Sequence, residues 1–174
     1  YQFVTVAEHT AQTVNGVLSF SNIPIYEGTY VTNRYTVDTD NVDQKFYVND
    51  ENGDTTTLIV DVFDNASSTV STTFTQALDN TQVKSNSNVY FLQESVDGKF
   101  EIYFGDGITG KALSDGNVVR MRYVVTNKTK PNGASSFTTS ASISGITNIT
   151  TATVSTASGG AEKESIQSIK FNAP

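Results

Sequence analysis

The sequence contains no cysteine and no tryptophan, and only one histidine, one methionine and three prolines in 174 residues. Each scarcity closes a route. Without cysteine there is no disulfide framework and no thiolate metal site, and the composition fits assembly in a reducing compartment. A Ser-His-Asp site would have to be built on His9, which lies in a polar N-terminal stretch with no nucleophile elbow in the chain. Zinc would be left with an almost all-carboxylate shell. Long apolar runs are also missing: Leu58-Ile59-Val60 is typical of the longest, far short of the roughly 20 residues of a membrane-spanning helix. Charged residues make up 17% of the chain, below the roughly 25% usual in soluble domains. Ser, Thr and Asn take their place, which suits the solvent faces of strands and turns more than long helices. Eleven Lys and Arg against 18 Asp and Glu give a formal charge of −7, which repels a phosphate backbone. Neither nucleic acid nor membrane is expected as a partner. The length allows one ordinary domain or two small ones, by a rough prior of about 150 residues each.

The patterning predicts an all-β fold of antiparallel sheets, hairpin-rich and sandwich-like, with one short C-terminal helix. Strands are expected within Gln2–Glu8, Gly16–Phe20, Ile23–Val37, Lys45–Val48, Thr57–Phe63 and Ser68–Thr75. The turn segment Asn49–Asp54, with its Asn52-Gly53 pair, predicts a hairpin joining Lys45–Val48 to Thr57–Phe63. In the second arm Leu58, Val60 and Val62 share a face opposite Ile59, Asp61 and Phe63. The best-defined unit is Val89–Val96, the turn Asp97-Gly98, and Lys99–Phe104. Its returning arm puts Phe100, Ile102 and Phe104 on one face with Glu101 and Tyr103 opposite. Val119, Met121, Tyr123 and Val125 alternate with Arg120 and Arg122 in a further strand with a charged outer face. The polar segment 79–88 is where two small β subdomains would divide, if the β-rich module over residues 1–160 is not one continuous unit. Residues 127–160 form a Ser/Thr tract of sparse apolar content, read as irregular strands in preference to a loosely held linker. Over 161–174 early acids, the late Lys170 and the shared face of Ile166 and Ile169 predict the helix, leading into a C-terminal region outside this sequence. Tyr1 in place of Met, with no leader sequence, reads as a piece of a longer protein.

Motifs that could carry chemistry are weak. Gly105-Asp106-Gly107-Ile108-Thr109-Gly110-Lys111 imitates a phosphate-binding loop for seven positions, but Ala112 stands where a hydroxyl must ligate magnesium, and no helix follows. Asp50, Asn52 and Asp54 fail the spacing of an EF-hand calcium loop. No catalytic residue, metal or cofactor is expected, and the protein is read as a non-enzyme.

Four segments then carry a resemblance. They are Ile25–Arg34 (Ile-Tyr-Glu-Gly-Thr-Tyr-Val-Thr-Asn-Arg), the hairpin Val89–Glu94 with Lys99–Tyr103, the loop Phe104–Lys111 (Phe-Gly-Asp-Gly-Ile-Thr-Gly-Lys), and Gly159–Ile166. In this order they resemble the baseplate wedge proteins of T-even-type contractile-tailed phages, within the baseplate J-like group. The resemblance implies a structural virion protein of the tail baseplate, assembled in the host cytoplasm. Its subunits would pair with copies of themselves and meet other wedge proteins, closing a ring around the tail hub that transmits the trigger for sheath contraction. Arg34, Arg120 and Arg122 are the candidate interface residues toward a neighbour's carboxylates, and Ile166 and Ile169 toward a segment beyond this sequence. The alternative is a carbohydrate-binding or host-adhesion module of a phage tail, which would present exposed tyrosines beside acids or amides. A carboxylate glycosidase is a third reading.

Overall fold

The computed structural model describes residues 1–95, 97–139 and 142–162. Eleven strands follow one another among these described residues. They are β1 (Phe3–Val4), β2 (Gln12–Val14), β3 (Val17–Ser19), β4 (Tyr26–Glu27), β5 (Thr29–Thr36), β6 (Phe46–Val48), β7 (Gly53–Phe63), β8 (Ser71–Gln76), β9 (Val89–Glu94), β10 (Phe100–Phe104) and β11 (Val118–Val125). Seven of them make one sheet in the order β5-β11-β7-β8-β9-β10-β6, beside the two small pairs β1-β4 and β2-β3. Among the described residues there is no α-helix, only a 3-10 turn at Asn80–Gln82. The helix expected over 161–174 lies, from residue 163 onward, outside the described residues, and Ile166 and Ile169 with it.

Alternation decides which way each strand faces. Val31 and Tyr35 of β5, Val60 and Val62 of β7, Phe74 of β8, Tyr90 of β9, Ile102 of β10, Phe46 and Val48 of β6 and Val119, Met121 and Tyr123 of β11 all join one core. Strands from both ends of the sheet share that core, so the sheet curls until its edge strands meet. β5 and β6 are successive in the chain yet stand at opposite edges, and side chains close the gap between them. The Tyr35 hydroxyl donates to the Tyr47 carbonyl at 2.7 Å and accepts from Asn49 Nδ2 at 3.0 Å. Gln44 donates to the Thr36 carbonyl and accepts from the Asp38 amide, both at 2.9 Å. The Phe46 ring meets Tyr35 edge-on at 5.6 Å and Phe104 at 5.5 Å.

Two sequence expectations are corrected here. β6 does not form a hairpin with β7; it pairs with β10, Tyr47 opposite Glu101. β7 lies between β11 and β8. Neither Asn52 nor Gly53 has a positive φ. Gly53 is needed for its missing side chain, since a Cβ there would stand 2.6 Å from Val48 Cγ1. The Asn-Gly pair that does turn a hairpin is Asn15-Gly16, with φ of 51° and 78°, joining β2 to β3. The second correction concerns direction: β8 and β9 run parallel, with Thr75 opposite Val89, so the main sheet is mixed. Segment 79–88 is the crossover that a parallel pair requires, and the strands on its two sides are direct neighbours in the sheet.

The β9-β10 hairpin forms as its pattern predicts, with Gly98 at φ 80°. Residues 127–160 do not form strands among the described residues; they contain one isolated bridge, Ile143 to Ile146. Their apolar residues are too sparse to bury, and Ile143, Ile146 and Val154 are exposed. The tract is tied down by polar contacts, including Asn127, whose amide and side chain both donate to Glu27 at 2.8 and 2.6 Å.

The seam between β5 and β6 gives the first prediction. Tyr35→Phe keeps the ring in the core and removes only the hydroxyl, which should lower the unfolding free energy by about 1 kcal/mol in urea titration. A loss indistinguishable from zero would show that the Tyr35 hydroxyl takes no part in holding the edge strands together.

Candidate functional site: the arginine face

The outer face of β5, β11 and β7 is where the register gathers charge. Arg120 of β11 stands opposite Arg34 of β5 on one side and Asp61 of β7 on the other. Thr73 of β8 continues the row opposite Asp61. Asp61, only 2% exposed, accepts at Oδ2 from Arg120 Nη2 at 2.9 Å and Arg122 Nη2 at 2.8 Å, and at Oδ1 from the Thr73 hydroxyl at 2.8 Å. Burial pushes this carboxyl up, yet the Thr73 hydroxyl and the two guanidiniums outweigh it and hold Asp61 below its ordinary 3.8.

Phe63, two residues along β7, is the second organiser. Its ring lies under Arg34 at 5.3 Å and under Arg120 at 4.8 Å, a stacking that suits a flat guanidinium. The three arginines singled out from the sequence therefore stand together on one face. Two are committed to Asp61. Arg34 is exposed and has no carboxylate partner among the described residues. One more donor is unspent: Arg122 Nε is buried and has no acceptor.

A second buried acid sits on the outer face of β10. Glu101 accepts from Lys45 Nζ at 2.7 Å and from Gln93. Those two hydrogen bonds, Lys45 first, hold its carboxyl below the ordinary value. Beside it Tyr103 stacks on Phe91 with ring centroids 5.1 Å apart.

Residues 31–138 match the sequence model of the third domain of the bacteriophage baseplate wedge protein gp6. The chain belongs to that family. No curated protein matches it. Family membership makes this a structural protein of the phage tail baseplate, working among other baseplate proteins.

In this wedge domain the glycine-rich loop after β10 is closed on itself. Asp106 Oδ1 accepts from the amides of Ile108 and Thr109, each at 2.9 Å, which holds its carboxyl below the ordinary value. The Gly107 amide donates to the Gly110 carbonyl, and those of Gly110 and Lys111 to the carbonyls of Lys84 and Ser87. Amides that a phosphate would need are thus spent within the fold. Gly105 lies so close to Thr109 and Gly110 that a Cβ would overlap their backbone.

The sequence pattern singles out the three arginines of the wedge domain but not the groups around them: Asp61, Phe63 and Thr73 on one side, and Lys45 and Gln93 about Glu101 on the other. One signal was available. An acid inside the apolar run Leu58–Phe63 is costly unless paired, and Arg-x-Arg in another alternating strand is the matching half.

Replacing Asp61 by Asn leaves two adjacent guanidiniums without their anion. The expected loss of unfolding free energy is about 2–3 kcal/mol, below that of a wholly buried pair because both arginines reach solvent. The sign with pH follows from the lowered value: the carboxylate's contribution is complete above 3.8 and is lost as the pH falls below it through the folded-state pKa. From about pH 5 to about pH 2.5 the wild type should therefore lose more stability than Asp61→Asn. Parallel curves for the two proteins would contradict the assignment.

Proposed function

We propose that this domain is a stiff structural module of a wedge subunit, contributing to the ring around the tail hub and passing on the rearrangement that triggers sheath contraction. The family match over residues 31–138 carries this reading. The subunit pairs with copies of itself and with other wedge proteins, and is assembled into the tail in the host cytoplasm. It acts by contact and takes no part in catalysis.

The fold supports a mechanical role. A curled sheet whose edges are latched by Tyr35, Gln44 and Phe46 resists bending, because any flexing must break the latch or shear the ladder. A machine built of such units moves by repacking the interfaces between them. Both buried acids are held ionised by cations of the same fold, which fits a bracing role better than proton transfer.

The rival reading, a glycan-binding surface, draws on Tyr47 and Tyr103, each 37% exposed on the outer face near Glu101. Tyr103 already stacks on Phe91, and the Glu101 carboxylate is spent on Lys45 and Gln93. One face of Tyr103 is thus covered, and Glu101 Oε1 already accepts two donors of the fold.

An electron-microscopy map of the intact tail is the test. Density for this fold is expected in the wedge layer encircling the hub, in contact with copies of itself. Finding it on a fibre or at a receptor-binding tip would overturn the proposal.

A further inference from the structure

The whole sequence contains only three arginines, Arg34, Arg120 and Arg122, and the fold brings all three to one patch. Every other cationic residue is a lysine. A fold needing only solubility or a general counter-charge has no reason to sort its cations in this way, because an exposed ammonium serves as well. Arginine differs in presenting a flat fork that meets a carboxylate with two parallel hydrogen bonds and stacks on aromatic rings.

The patch is also unbalanced. Three guanidiniums share a patch with one buried carboxylate, Asp61, which Arg120 and Arg122 bond and Arg34 does not. The surplus positive charge faces outward on a chain whose formal charge is −7. Phe63 and Asp61 fix Arg120, and Asp61 fixes Arg122, so these two are held before any partner arrives. Arg34 rests on Phe63 with its fork uncommitted. The buried Arg122 Nε, lacking an acceptor, marks the same patch as incomplete.

We infer that the Arg34-Arg120-Arg122 face is a preorganised receptor for an acidic segment of a neighbouring baseplate protein, with Arg34 gripping a partner Asp or Glu and Asp61 and Phe63 acting as positioning residues. The inference deepens the proposed function by naming the partner's chemistry, and rests on it for the identity of the neighbour. Long-range repulsion from the acidic chain makes a local arginine patch the place where a carboxylate-bearing segment can dock. The preordering of Arg120 and Arg122 lowers the side-chain entropy cost of docking there.

The test uses the chain itself and a fluorescently labelled hexaglutamate peptide, followed by anisotropy at low salt. Wild type should bind saturably, and binding should weaken as salt is added. Arg34→Gln should weaken it about tenfold, the weight of one bidentate charge-assisted pair. Arg34→Lys should restore only part of the loss, because an ammonium keeps the charge and loses the fork. Lys99→Gln, removing a half-exposed cation at the β9-β10 turn, should change nothing. Arg34 is exposed, and thermal melting of its variants should match wild type.

Equal binding by Arg34→Gln and wild type would overturn the inference. So would full rescue by Arg34→Lys, or a hexaglutamine peptide binding as well as hexaglutamate. Binding of polyphosphate in place of the peptide would mark the face as a phosphate site and equally overturn it. These measurements need no baseplate. Their failure leaves the structural role standing, whereas displacement of the domain from the wedge layer would remove that role without altering the peptide result.

Discussion

Slipping β11 by one residue against β5 and β7 would carry Val119, Met121 and Tyr123 out to solvent and turn Arg120 and Arg122 into the core. The alternation of this one strand therefore fixes the inside and the outside together. Its register places Met121 opposite Val60 in the interior and Arg120 between Arg34 and Asp61 on the exterior. Near its end the pairing with β7 shifts between Arg122 and Val124. There the buried Thr57 hydroxyl takes over from the ladder, accepting the Val124 amide at 3.0 Å. A side chain thus satisfies a main-chain donor that the irregularity would otherwise strand.

The outer face of such a sheet would ordinarily be left to water, yet this one buries two carboxylates, Asp61 and Glu101, each to 2% exposure. Removing a carboxylate from water costs several kcal/mol even after relaxation. At Asp61 the opposing terms are two guanidiniums and a hydroxyl, all within 2.9 Å. At Glu101 they are an ammonium and an amide. The net pull on each proton equilibrium is toward ionisation, so attraction outweighs desolvation at both sites. The two differ in reserve. Lys45 meets a single acid and leaves little charge over, whereas the Asp61 site has a guanidinium to spare in Arg34.

Much of this architecture was legible in the sequence where the signal is local. The β9-β10 hairpin, the alternation of β11 and the charged outer face holding Arg120 and Arg122 follow from period-two patterning and one Asp-Gly turn. What was not legible is pairing between distant strands. The Asn-Gly rule was applied to Asn52-Gly53, where glycine serves close packing against Val48. It holds instead at Asn15-Gly16. Nothing local reveals that β8 and β9 run parallel, because a crossover of polar residues reads like any loop. For the site, pattern alone names Arg34, Arg120 and Arg122 as candidate interface residues without bringing them together. Their convergence depends on β5 and β7 flanking β11, a long-range fact, and so did the recognition of Asp61 and Phe63 as partners. The Ser/Thr tract failed as a strand prediction for a plain energetic reason: residues such as Thr147 and Ser155 bring β propensity without buried area to offset chain entropy.

Closure by side chains has a mechanical consequence. β5 is held to β11 by a continuous antiparallel ladder from Thr29 to Thr36, while its other edge is held to β6 through the groups around Tyr35 and Gln44. Under load the side-chain seam is the weaker boundary, since each latch contributes on the order of 1 kcal/mol net and none is propagated along the strand. The arginine face spans β5, β11 and β7: Arg34 stands next to Tyr35 on the seam strand itself, whereas Arg120 and Arg122 are anchored by Asp61 of β7, a central strand. Strain entering at Arg120 and Arg122 is therefore taken up by the ladder before it reaches the latch. The part of the arginine face anchored by Asp61 is therefore the stiffer one, and the part carried by β5 lies beside the compliant boundary.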